Sequence, residues 1–156
     1  MNSIQVGLGL DAHRFGGVPP IILGGVVVDE ERGLLATSDG DVAAHALADA
    51  LLGAAKLGDL GDHFPSSDPQ WEGAASMVML QDVVRMVEAS GGQVASADLT
   101  IVAEDLRIAP HRSAIAAALS KVVGAEVSVK ATSTDGLGFL GRGEGLAALA
   151  VAVITI

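Results

Sequence analysis

The sequence predicts an α+β domain: a small β-sheet backed by about three helices on one face and packed against another subunit on the other. Three observations carry this. Short apolar runs bounded by Gly, Pro and Asp read as strands near both ends and in the second half of the chain. Three longer stretches between them repeat apolar residues at helical spacing. The last run, Leu146 to Ile156, is apolar at nearly every position rather than at alternate ones. A strand with one wet face alternates. Both faces of this strand are therefore expected to be covered, one by helices and the other by a partner subunit.

Each element follows from local signals. Ile4 to Leu10 reads as the first strand, and Ile21 to Val28 as a second strand region that Gly24-Gly25 interrupts with a turn or bulge. Ser38-Asp39-Gly40-Asp41 supplies N-cap residues for an Ala- and Leu-rich helix running to about Leu57. Gly58 to Gly73, dense in Gly, Pro and acidic residues, reads as a loop long enough to suggest function. A second helix follows Ser76, where Met77, Leu80, Val84 and Val87 share a face and Gly91-Gly92 ends it. Val94 to Val102 is a strand. Pro110 suits the first turn of a third helix, with the stripe Ile115, Leu119 and Val122 and an end at Gly124. Val127 to Ala131 is a strand, and a glycine-rich loop from Thr132 to Gly145 leads into the last one.

The 156 residues fit one domain, 1–156. Half are apolar, yet Phe15, Phe64, Phe139 and Trp71 are the only Phe, Trp or Tyr, so the core must be aliphatic. A net charge of −10 argues against a nucleic-acid partner. It leaves room for a small phosphorylated ligand held by metal ions and backbone amides. With no cysteine, there is no disulfide or thiolate site, and the redox compartment stays open. The opening Met1-Asn2-Ser3-Ile4-Gln5 lacks a basic and then apolar leader pattern. The apolar C-terminal run is far short of the roughly 20 residues of a spanning helix. The expectation is a soluble, cytoplasmic chain with no membrane partner.

Asp11 and His13 hold the most informative chemistry. They stand two apart at the end of the first strand, so they share a face. One further imidazole, such as His45 in the first helix, completes three ligands of the types zinc accepts, with a fourth position open. Asp41 and Asp49, four residues either side of His45, are at the spacing of side chains that orient a ligating imidazole. Each histidine alone also has an ordinary reading: His13 as a loop-edge residue, His45 as a satisfied side chain under an Ala-rich face. For His63 and His111 that reading is kept. Asp59, Asp62 and Asp68 read as solvated turn residues, whereas Phe64-Pro65 in so polar a loop should pack on something. Ala131-Thr132-Ser133-Thr134-Asp135-Gly136 has hydroxyls and amides able to cradle phosphate oxygens and an acid able to hold magnesium. Its plainer reading is a Ser/Thr-rich turn, and that of Arg142 and Glu144 a surface ion pair.

Taken together, these motifs resemble one family. Asp11-x-His13-x-Phe15, Ser38-Asp39-Gly40-Asp41-Val42-Ala43-x-His45-Ala46-x-x-Asp49-Ala50-Leu51 and Leu57-Gly58-Asp59-x-Gly61-x-x-Phe64-Pro65 are similar to successive signatures of the 2-C-methyl-D-erythritol 2,4-cyclodiphosphate synthases. So are Lys130-Ala131-Thr132-x-Thr134 and Leu137-Gly138-Phe139-x-Gly141-Arg142-Gly143-Glu144-Gly145. The resemblance covers essentially the whole chain, in order. It implies a homotrimer of small mixed sheets backed by helices, with active sites between adjacent subunits. The implied reaction closes 4-diphosphocytidyl-2-C-methyl-D-erythritol 2-phosphate to the 2,4-cyclodiphosphate and releases CMP, a lyase step of the non-mevalonate isoprenoid pathway.

The resemblance also implies roles. Asp11, His13 and His45 would hold one zinc ion per subunit, and Asp135 a second divalent ion, magnesium or manganese. Asp11, Ala12, His13, Thr37 and Ser38 would bind substrate, Thr37 at a position whose histidine contacts substrate phosphate in many members. Asp59, Leu60 and Gly61, with Phe64, Pro65, Ser66, Ser67 and Asp68, match the segment around the erythritol moiety. Ala103, Glu104, Asp105, Leu106, Arg107, Ile108 and Ala109 match the cytidine-diphosphate pocket, together with Ala131, Thr132 and Ser133, and Thr134 is a further substrate-binding residue. Phe139 and Arg142 complete the substrate-binding set. Ser133 takes a threonine position and keeps its hydroxyl; Thr37 stands where many members have a histidine, and Leu106-Arg107 where a Pro-Lys pair is common. Ser133 and Thr37 are the catalytic candidates. By analogy, Glu144 and Arg142 would line a central cavity of the trimer, open to an isoprenoid diphosphate. Two other readings stay open: a non-catalytic trimer that binds nucleotides or isoprenoid diphosphates, which only Thr37 favours, and a phosphohydrolase using zinc-bound hydroxide.

Overall fold

The computed structural model describes residues 2–156. Its main sheet is built from β1 (Ile4–Phe15), β4 (Leu34–Leu35), β5 (Gln93–Val102), β6 (Glu126–Thr132) and β7 (Gly145–Thr155), in the order β4-β1-β7-β5-β6. β5 and β6 run parallel and every other pairing is antiparallel, so the sheet is mixed as expected. A separate hairpin joins β2 (Ile21–Leu23) to β3 (Val26–Asp29) around Gly24-Gly25, whose positive φ values of 57° and 75° suit a glycine turn. Three longer helices, α1 (Val42–Ala54), α3 (Ser76–Ala89) and α4 (Arg112–Val123), cover one face.

That face holds the core. Leu47, Leu51 and Leu52 of α1, Leu80 of α3 and Ile115 and Leu119 of α4 meet Leu99 and Ile101 of β5 and Leu146 and Ile154 of β7, all fully buried. No large aromatic ring fills the middle, in keeping with the aliphatic composition. The closest approach is between α1 and β1. A Cβ added at Gly7 or Gly9 would overlap the carbonyl oxygen of Ala50 or Ala46. Glycine on the strand and alanine on the helix therefore bring the two backbones together, and this sets the site described below.

The opposite face is open in the single chain. Ile4, Val6, Leu8 and Leu10 of β1 are between 62% and 69% exposed, and their cross-strand neighbours Leu149 and Val151 of β7 are 39% and 40% exposed. The continuous apolar pattern of β7 thus reflects one face under helices and one bare face. Along β5 and β6 the same face turns polar, where Asp98 pairs with Lys130 and accepts from Ser128.

Several boundaries differ from the sequence expectation. β1 continues five residues past Leu10, because β7 pairs with it as far as Arg14. The loop from Gly58 to Gly73 contains α2 (Leu60–His63), closed by a capping box between Asp59 and Asp62, and a 3-10 turn at Pro69–Trp71. Reciprocal caps made this segment helical despite its polarity. The glycine-rich loop likewise contains α5 (Gly138–Gly141), for which a Cβ at Gly141 would overlap Gly136. Among the described residues no helix is long and apolar enough to cross a membrane.

Candidate metal centre

β1 turns Asp11 and His13 toward the helices, as the strand period requires. His45 arrives from the first turn of α1, one residue before the Ala46 carbonyl that rests on Gly9. Asp11 Oδ2 lies 3.0 Å from His13 Nε2 and 3.0 Å from His45 Nδ1. One ligand atom from each of the three residues lies within 4.8 Å of the other two. The two rings meet edge-on, their centroids 5.9 Å apart.

Where the protons sit follows from the outer nitrogens. His13 Nδ1 is 3.1 Å from the Leu35 carbonyl oxygen, an acceptor only, so Nδ1 carries the hydrogen and Nε2 the lone pair. Nε2 is buried and has no partner in hydrogen-bonding alignment, although Asp11 stands beside it. A lone pair facing a carboxylate oxygen at that distance repels unless a cation lies between them. The donor set thus fits a divalent ion such as zinc, with room for a further ligand. In the ion's absence a proton serves: the Asp11 carboxylate raises the His13 pKa above the usual imidazole value against the effect of burial. Burial works to raise Asp11 itself, but both imidazoles outweigh it and hold its pKa below the usual carboxylate value.

The residues expected to orient His45 are not the ones that touch it. Asp41 is fully buried and accepts from the backbone N–H groups of Ala44, Gly24 and Gly25 at 3.0, 2.8 and 2.9 Å, capping α1 and pinning the β2–β3 hairpin to it. Asp49 accepts from the Leu60 N–H at 3.2 Å. A helical spacing of four gives proximity only when both side chains point along the same line. Here each carboxylate is drawn to unpaired backbone donors instead. His45 Nε2 instead meets the Ser76 hydroxyl at 2.7 Å and the Ser38 hydroxyl at 3.3 Å.

A cleft of about 230 Å³ opens beside the triad, lined by Asp11, His13, Thr37, Ser38, His45, Leu60, Phe64, Ser66, Trp71 and Met79. Phe64 packs edge-on against Trp71 at 4.9 Å, which answers what an apolar residue does in that loop. Trp71 and Met79 were missed from sequence; the single tryptophan in a polar loop was the available signal. Ser67 and Asp68 lie on a neighbouring depression with Thr37 and Ser66. Asp59 and Asp68 act as caps, and His63 bonds the Leu57 carbonyl oxygen at 2.7 Å.

Residues 103–109 and 131–135 do not line this cleft. They are brought to each other. Glu104 accepts from the Thr134 and Gly136 N–H groups at 3.2 and 2.9 Å, and the Ala103 N–H donates to the Thr132 carbonyl oxygen at 3.0 Å. Ser133 and Asp135 bond each other at 3.3 Å, with Asp135 held at φ 54°. Among the described residues Asp135 belongs to no group of three metal-binding side chains. Phe139 borders a depression with Ala12 and His13, and Arg142 pairs with Glu144 at 2.8 Å.

This geometry has close counterparts. The YgbB family matches residues 4–155. The chain belongs to the YgbB family. Among curated relatives, the 2-C-methyl-D-erythritol 2,4-cyclodiphosphate synthase of Vibrio cholerae is 50% identical over 154 residues, covering 97% of this chain and 98% of that protein. A solved 2C-methyl-D-erythritol-2,4-cyclodiphosphate synthase in a CDP-bound form superposes with a TM-score of 0.86 at 36% identity, covering 96% and 99% of the two chains. The bifunctional IspDF of Campylobacter jejuni reaches a TM-score of 0.96 at 36% identity over 99% of this chain, which spans 43% of that longer protein. The family's fold, a mixed five-stranded sheet with helices on one face, is that of this chain.

Proposed function

We propose that residues 1–156 form one cyclodiphosphate synthase domain. It converts 4-diphosphocytidyl-2-C-methyl-D-erythritol 2-phosphate to 2-C-methyl-D-erythritol 2,4-cyclodiphosphate and CMP, as a cytoplasmic homotrimer. The observation that carries this reading is the convergence of two imidazole nitrogens on the Asp11 carboxylate beside a cleft, in a chain half identical to curated synthases. An oxygen of the substrate's 2-phosphate bonds to the β-phosphorus. The bond from that phosphorus to the bridging oxygen breaks, and this oxygen leaves on CMP. The nucleophile is already ionised, so the protein has to position two repelling phosphates rather than supply a strong base.

Zinc at Asp11, His13 and His45 would supply positive charge to the β-phosphate, and magnesium or manganese at Asp135 would neutralise the α- and β-phosphates. Thr37 and Ser38 face the same cleft with neutral hydroxyl donors. Leu60, Phe64 and Ser66 bound the part nearest the sugar-like moiety. The Glu104 bridge holds the 103–109 and 131–135 segments as one unit for the cytidine diphosphate end, with Ser133 offering a hydroxyl. Because that unit and the metal cleft are separate within one chain, a neighbouring copy is the natural supplier of the missing half. The bare apolar strip of β1 and β7 supports such a copy, since water is a poor partner for so much aliphatic surface.

The test is CMP release from the diphosphocytidyl substrate with zinc and magnesium both present. Cyclic diphosphate as co-product, identified by its phosphorus resonances, is the expected result. No CMP under those conditions overturns the proposal, and a linear product reassigns the chain to phosphohydrolysis.

A further inference from the structure

The hydrogen bonds behind His45 form a chain that begins on a different helix. Ser76 is the first residue of α3 and is 1% exposed. Its hydroxyl lies 2.7 Å from His45 Nε2 and also bonds Asp39 Oδ1. Asp39 Oδ2 accepts from the Ser76 backbone N–H at 3.0 Å, and Oδ1, besides the Ser76 hydroxyl, accepts from the Asp41 N–H at 3.1 Å. Two backbone bonds lock the same strip, Asp39 N–H to the Ala74 carbonyl at 3.1 Å and Gly73 N–H to the Thr37 carbonyl at 2.8 Å. α3 has no side-chain N-cap of its own, since Ala75 stands at that position. Asp39 fills the vacancy from 37 residues away.

Proton counting fixes the direction of this chain. A carboxylate has no hydrogen to give, so the Ser76 O–H donates to Asp39. The single hydroxyl hydrogen is then spent, and Ser76 Oγ can only accept from His45 Nε2. His45 therefore carries its proton on Nε2 and keeps the Nδ1 lone pair for the position beside Asp11.

We propose that Asp39 and Ser76 are positioning residues that set the tautomer of His45 and thereby the affinity of the metal centre. This rests on reading the triad as a metal site. Outer partners of ligating imidazoles typically govern affinity by about 10–100-fold. The chain couples the start of α3 to the site through the Ser76 hydroxyl, the nearer of the two hydroxyls at His45 Nε2. Asp39→Asn gives a further consequence. With its amide NH2 turned toward Ser76 Oγ, and so against the Asp41 N–H that the native oxygen accepts, an asparagine donates to Oγ, frees the hydroxyl hydrogen for His45 Nε2, and moves the ring proton to Nδ1, where it blocks the metal.

The experiment measures zinc dissociation constants by chelator competition on the full chain, for wild type, Ser76→Ala, Ser76→Thr and Asp39→Asn. Long-range nitrogen-15 NMR of the metal-free proteins reports the His45 tautomer. Wild type with the proton on Nε2, Ser76→Ala binding zinc about 10–100-fold more weakly, and Ser76→Thr restoring affinity through its hydroxyl are the expected results. Loss of α3 capping alone would lower thermal stability but leave the tautomer unchanged in the folded protein. Wild-type zinc affinity in folded Ser76→Ala, or a proton on Nδ1 in wild type, overturns the inference. Absence of saturable zinc binding in wild type overturns the metal reading itself.

Discussion

Asparagine at position 41 separates two effects that the native carboxylate combines. Asp41 is fully buried, and burial pushes its pKa from 3.8 up to about 6, against three backbone N–H bonds and with the nearby Asp39 charge adding to the rise. Between those two values the folded protein holds a proton there that the unfolded chain releases. The contribution to stability is complete below pH 3.8 and is lost as pH rises through about 6. The difference amounts to ~3 kcal/mol at 1.36 kcal/mol per pKa unit. In Asp41→Asn that slope disappears, while the Gly25 N–H, now facing an amide NH2, costs about 1–3 kcal/mol at every pH. For a domain of this size 1 kcal/mol moves Tm by about 2–4 °C. The melting-temperature gap between wild type and Asp41→Asn should therefore narrow by about 6–12 °C between pH 4 and pH 7, measured by calorimetry at fixed protein concentration. A gap that stays constant or widens with pH would show that the three N–H bonds keep the carboxylate ionised, and the argument from burial would fail.

Four further outcomes are expected. His45→Ala should abolish bound zinc in metal analysis and reduce CMP release to background; a full zinc complement would reject His45 as a ligand. Asp135→Asn should raise the magnesium concentration needed for half-maximal rate while zinc content stays at wild-type level. Gly9→Ala drives a methyl group into the Ala46 carbonyl oxygen and should cost at least ~2 kcal/mol in denaturant unfolding, with weaker zinc binding because α1 carries His45. Leu8→Glu places a charge in the middle of the bare strip, and sedimentation should show the proposed trimer giving way to monomer; an unchanged mass would place the interface elsewhere.

Much of the fold was legible because its elements announce themselves locally. The stripe of α3, the Gly124 end of α4 in left-handed conformation and the Gly24-Gly25 turn all follow from residue period and backbone preference. The short helices α2 and α5 were not legible. Their hydrogen bonds close between polar and glycine residues that carry no apolar period. The pairing of Asp11 with His13 was also local, since a strand presents alternate residues on one side. The partner of His45 was misjudged for the opposite reason. Asp41 and Asp49 sit at the right helical spacing, but backbone donors from the β2–β3 hairpin and from Leu60 claim them first.

By itself the sequence determined the kinds of elements, the aliphatic core and the ligand types, all consequences of composition and of periods two and 3.6. The order of motifs also sufficed to recognise the family. Tertiary structure alone decided how close α1 lies to β1, which ring nitrogens converge on Asp11, and that Ser76, 31 residues beyond His45, meets its outer nitrogen. Backbone period acts within an element, whereas the direction of a shared proton depends on every donor and acceptor that packing brings within about 3 Å.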